Sequence, residues 1–139
     1  MDIVIEIDTK TIYDEVYAVT SHTGRAAGNI DAISLSEDEI KIIDPFMKES
    51  VYDLSDVISS YGNLSIIGDT ILISFSLPPN WKDNKNALIQ CIRNYISNSI
   101  CKKWFSMTNK DDVIYYSERV ILNSNNIKKI LCERIRPKR

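Results

Sequence analysis

The chain is poor in the residues that usually carry catalytic or redox chemistry. It holds one histidine, His22, and three cysteines in 139 residues. The odd number, with each cysteine inside a helical pattern, argues against a disulfide framework. Zinc needs paired ligands at short spacing, whereas Cys91 and Cys101 stand ten residues apart. The thiols are therefore expected to be free and buried, acting as small hydrophobes. No stretch of about 18 apolar residues is present, so no membrane span is expected. The acidic, polar opening MDIVIEIDTK does not read as a secretory signal, and the protein is expected in the cytoplasm when made.

Motifs for chemistry are equally scarce. His22 lies in SHTGR, with no cysteine nucleophile or orienting acid placed beside it by a motif, so it reads as a surface or capping residue. Gly24 and Gly28 lack the Gly-Lys-Ser/Thr ending of a phosphate loop, and residues 24–35 read as a connector. Asp38, Glu39, Asp44, Glu49, Asp53 and Asp56 lack calcium-loop spacing and read as a solvated helix face. The expectation is a protein without catalytic residues, cofactor or metal.

What is present is enough apolar sequence for one core. With 44% hydrophobic and 26% charged residues, the chain has an ordinary globular composition. Its length predicts a single domain, 1–139, stable without staples. Charge is unevenly distributed. Residues 1–62 carry 13 acidic and 4 basic side chains, a balance of −9, while residues 63–139 carry 6 acidic and 13 basic, a balance of +7. Such polarity suits either two packed halves of one chain or the docking of one copy on the next.

Periodicity outlines the elements. Ile3, Ile5 and Ile7 alternate with Asp2, Val4 and Glu6, the pattern of a strand with one apolar face. Thr9 or Thr11 then caps a helix through about residue 20, with Ile12 and Val16 inward and Gly24 as its stop. Ser36 and Glu39 form a capping box for a second helix. Its stripe is Ile40, Ile43, Met47, Val51, Leu54 and Tyr61, with a kink or break at Pro45 and an end at Gly62. Residues 63–77 predict a hairpin turning at Gly68 and Asp69, with Ile66 opposite Ile71 and Leu64 opposite Ile73.

After Pro78 and Pro79, with Trp81 near the corner, the strongest helical pattern begins near Asp83 or Asn84. It carries Leu88, Ile92, Tyr95, Ile96, Ile100, Trp104 and Met107 on one face. Thr108 or Asn109 caps a last helix with the stripe Val113, Tyr116, Val120, Ile127 and Leu131, and the polar run 123–126 predicts a kink or frayed section. The fold class is thus α+β and mainly helical: a four-helix bundle with an inserted hairpin that joins the N-terminal strand in a small antiparallel sheet. Residues 134–139 predict a flexible basic tail in which Arg134, Arg136, Lys138 and Arg139 are candidates for partner docking or phosphate contact. Tyr13, Tyr17 and Tyr115 are candidate interface aromatics.

An acid-capped helix ending near Tyr61, a hairpin closing in SLPPNW, a long helix carrying WF and a last helix ending in ERIRPKR together resemble the head-to-tail connector (adaptor) proteins of tailed bacteriophages. The resemblance covers about residues 36–135, and YAVTSHTGR is similar to segments of related phage structural proteins. It implies a virion structural subunit, made in the host cytoplasm, that joins a closed ring of about twelve copies between portal and tail proteins. DNA would pass nearby without sequence-specific binding, and no membrane is involved. Two further readings remain: a tail-completion or terminator protein, and a small nucleic-acid-binding or regulatory module acting through the basic C-terminus.

Overall fold

A computed structural model describes residues 2–26, 40–108 and 110–135 of the chain. Among these residues, three strands and four α-helices follow in the order β1 (Asp2–Asp8), α1 (Thr9–Ala26), α2 (Ile40–Ile58), β2 (Gly62–Ile67), β3 (Thr70–Ser76), α3 (Lys85–Thr108) and α4 (Val113–Cys132). A 3₁₀ turn over Lys110–Asp112 leads into α4. The fold is α+β and mainly helical, with a three-stranded antiparallel sheet.

The sheet order is β1-β3-β2, so the second arm of the hairpin is the central strand. Leu64 pairs with Ile73 and Ile66 with Ile71, the register expected from the apolar alternation. Only Gly68 among the described residues has a positive φ, +59°, and Asp69 after it does not. A positive φ confined to the first central residue is the type II′ pattern that suits a two-residue hairpin. At the opposite end of β2, Gly62 is required by close approach, because a Cβ there would lie 2.2 Å from the Ser74 carbonyl oxygen. Gly62 thus opens a strand; α2 has already ended at Ile58.

One face of the sheet belongs to the core. Ile5, Ile7, Ile71, Ile73 and Phe75 are buried in the same cluster as Ile12, Val16, Met47, Leu54, Trp104 and Leu131 of the helices. The helix α3 packs against α1, α2 and α4. That central position explains why Ser99, Cys101 and Phe105 are buried along with the expected stripe. Met107, expected inward, is exposed instead.

A polar staple ties α3 to each partner. Arg93 Nη2 donates to Glu15 Oε1 of α1 at 2.7 Å, and Ser97 donates to Oε2 of the same carboxylate at 2.9 Å. Ser50 of α2 donates to Ser99 at 2.9 Å. Asn98 Nδ2 donates to Oδ1 of the buried Asn123 of α4 at 2.9 Å. The 123–126 run therefore does not fray or break α4, which is continuous through it: Asn123 points inward and is satisfied there.

Other expectations shift for local reasons. Asp8, not a threonine, caps α1 by accepting the Lys10 N–H at 3.0 Å. That helix continues past Gly24 to Ala26; one glycine in a helix costs about 1 kcal/mol, which its neighbours can offset. Pro45 lies inside α2 and neither breaks nor restarts it, since Ile43, Met47, Val51, Leu54 and Ile58 stay on one buried stripe. Asp83 Oδ1 accepts the Lys85 N–H at 3.3 Å, setting the start of α3. Cys101 is buried, but Cys91 is half-buried and Cys132 exposed, so only one thiol is a full core residue. Most of the 24–35 connector and the capping box at Ser36 and Glu39 lie outside the described residues.

Candidate assembly surfaces

The C-terminal basic residues separate into two groups. Arg134 is half-buried, and its Nη1 donates to the carbonyls of Leu131 at 2.7 Å and Glu133 at 2.9 Å, closing the last turn of α4. Around it the chain is pinned to the corner that precedes α3. Lys82 N–H donates to the Glu133 carbonyl at 3.1 Å and Ile135 N–H to the Asn80 carbonyl at 2.7 Å. Trp81, fully buried, donates its indole N–H to the Ile130 carbonyl at 2.9 Å. Arg134 and Ile135 are thus part of the fold and not the start of a loose tail. Arg136, Lys138 and Arg139 lie outside the described residues.

The three candidate tyrosines also divide. Tyr13 and Tyr17 pack against the core. The Tyr13 hydroxyl donates to Asp44 Oδ1, clasping α1 to α2. Burial first, and then that hydrogen bond, raise the Tyr13 phenol well above its usual pKa. Tyr115 is different, with 55% of its surface exposed. It meets Tyr116 edge-on at 5.0 Å between ring centroids, and the Arg119 guanidinium stands 5.9 Å above its ring.

Tyr115 belongs to a surface that the sequence reading passed over. On α4, Ile114, Tyr115, Ile121 and Leu122 are all exposed large apolar residues, and Ile114 reaches 70%. They recur at an interval of seven residues, Ile114 with Ile121 and Tyr115 with Leu122, which is two helical turns, so they form a second stripe away from the core-facing one. The signal was present in the sequence, but the inward stripe of Val113, Tyr116, Val120, Ile127 and Leu131 accounted for the helix alone. Around the outer stripe stand Arg119, Lys128 and Lys129, with Glu118 as the acid on this face.

A second open surface is the outer face of the sheet. Val4 is 51% and Ile67 64% exposed, with Leu72 half-buried between them on the central strand. Asn63, Ser65, Ser74 and Ser76 fill the rest with short polar side chains. The strands and the hairpin turn carry Asp2, Glu6, Asp8 and Asp69, all exposed, and no lysine or arginine. At the end where Asp2 pairs with Ser76 lies an open depression of about 420 Å³, lined by Val4, Asn63, Ser74 and Phe75 among others.

The charge polarity of the sequence is partly spent inside the fold. The pairs Arg93–Glu15 at 2.7 Å and Lys103–Asp53 at 3.5 Å each join a base of the second half to an acid of the first. The acids of the sheet and the bases of outer α4 remain on the surface. His22 is exposed near the end of α1. Among the described residues no group of three or more His, Cys, Asp or Glu side chains is gathered as a metal-binding set. Among the described residues no helix is long and apolar enough to cross a membrane. No protein-family model, curated protein or solved structure matches the chain.

Proposed function

We propose that this protein is a structural subunit of a phage or prophage virion, and specifically a subunit of the ring that connects head to tail. The observation that carries this reading is the presence of two unlike open surfaces on one small fold. One is a helix with an apolar stripe and flanking bases; the other is an acid-bearing, partly apolar sheet face. A closed ring needs two different complementary surfaces on every subunit, because each contact is heterologous. The order of elements that resembles connector proteins supports the same reading. In it the protein has no catalytic residue, and its partners are further copies of itself with the portal and tail proteins.

Engagement of Arg134 with two backbone carbonyls disfavours the nucleic-acid module, since that guanidinium is occupied in closing α4. Co-expression with a portal protein from the same genome, followed by electron microscopy of the purified complex, tests the reading. The expected result is an added ring of density on the portal. A portal that assembles with its other neighbours and never binds this chain would contradict it.

A further inference from the structure

The two open surfaces match each other in length, character and charge. From Ile114 to Lys129 the outer face of α4 runs about 22 Å at 1.5 Å per residue. A seven-residue strand such as β3 spans about 23 Å. A helix laid along the sheet would therefore meet it over its whole length. Small side chains on the central and edge strands, Ser65, Ser74 and Ser76, allow close approach of the helix, while Val4, Leu72 and Ile67 supply apolar contact. Exposed apolar stripes rimmed by polar residues are the usual mark of a protein-binding surface.

Charge selects the pairing. The sheet carries acids and no base; outer α4 carries Arg119, Lys128 and Lys129 against one acid, Glu118. Two sheet faces brought together would set acid against acid. Two α4 faces brought together would gather six bases against two acids, the Glu118 of each copy. Helix on sheet is the arrangement that joins opposite charges, and Glu118 then meets a surface whose middle carries serine and threonine hydroxyls able to donate to it. We infer, resting on the ring reading above, that the outer face of α4 docks on the open sheet face of a second copy of this chain, and that this head-to-tail contact is what propagates the ring.

Cysteine cross-linking of the full chain at millimolar concentration tests this contact, in a background carrying Cys91→Ser and Cys132→Ser. Ile121→Cys marks the helix face and Ser74→Cys the sheet face. Oxidation of the chain carrying both is expected to give a ladder of covalent multiples on a denaturing gel. An equal mixture of the two single variants is expected to give a dimer, while each alone stays monomeric. Adding Leu122→Glu should cut the cross-linked yield at least tenfold, with the far-ultraviolet circular dichroism unchanged.

A dimer from Ile121→Cys alone would show helix pairing with helix and would overturn the contact, as would a dimer from Ser74→Cys alone. Monomers throughout would overturn it as well. Failure here is separable from failure of the virion reading. Particles that contain the chain while it yields no ladder would remove only the contact; a ladder from a chain that never enters particles would remove only the virion assignment.

Discussion

At the scale of single residues, the positions that matter most are those where the chain leaves no room or no substitute partner. Gly62 is one. Its missing Cβ is what lets β2 approach the Ser74 carbonyl, so Gly62→Ala must push the two strands apart or strain the backbone. The expected cost is about 2–3 kcal/mol, at the upper end of overpacking, read as a fall in the urea midpoint at unchanged slope. Asn123 is another. Replacing it by alanine strands the Asn98 amide in a half-buried site, and a loss of about 1–3 kcal/mol is expected from the same measurement. A change under a few tenths of a kcal/mol would mean that Asn98 finds another partner.

Several hydroxyl and thiol groups make stability depend on alkaline pH. Burial pushes the Cys101 thiol up to about 12, with the nearby Glu15 charge adding to it. Burial likewise raises Cys91 and Tyr95, and burial with the Asp44 hydrogen bond raises Tyr13. Each group keeps its proton in the folded state at a pH where the unfolded chain has lost it. Their stabilising contribution is therefore complete below the ordinary thiol and phenol values, 9.0 and 10.0, and falls away as pH climbs past them toward the raised ones. The melting temperature is expected to drop steadily above about pH 9. A melting temperature that holds constant to about pH 11 would contradict the burial of these groups.

At the scale of elements, the corner between β3 and α3 is held by the end of the chain. The Trp81 indole, the Asn80 carbonyl and the Lys82 amide all bond to residues 130–135. Ending the chain after Glu133 removes the Arg134 cap of α4 and the Ile135 hydrogen bond together. We expect a loss of about 2 kcal/mol in chemical denaturation, from one cap and one backbone hydrogen bond. An unchanged midpoint would place residues 134–135 outside the cooperative unit.

The elements were legible in the sequence wherever a single periodicity governed them. Alternation in 2–8 and 63–77 predicted the strands and the register of the hairpin, and the three-and-four spacing in 85–108 predicted α3. Legibility failed where a residue served two needs. Asn123 looks like a helix breaker until Asn98 is seen opposite it, and Gly24 looks like a stop although the helix runs on. Arg134 reads as a tail charge, because the carbonyls it caps are fixed only once α4 and the Trp81 corner meet. The outer stripe of α4 was visible as spacing but not as exposure, which depends on which side of the helix α3 covers.

At the scale of the whole molecule, opposite charge and apolar area are divided between two open surfaces, while the other acids and bases of the two halves are partly paired within the fold. That division suits the subunit of a closed assembly proposed above, in which every subunit offers two different complementary surfaces. Quantitative mass spectrometry of particles purified from an induced lysate of the organism that encodes the chain tests the central claim most directly. The account predicts the chain in the particles, at a fixed ratio to the portal subunit and retained through a density gradient. A chain abundant in the lysate and absent from the banded particles would contradict it.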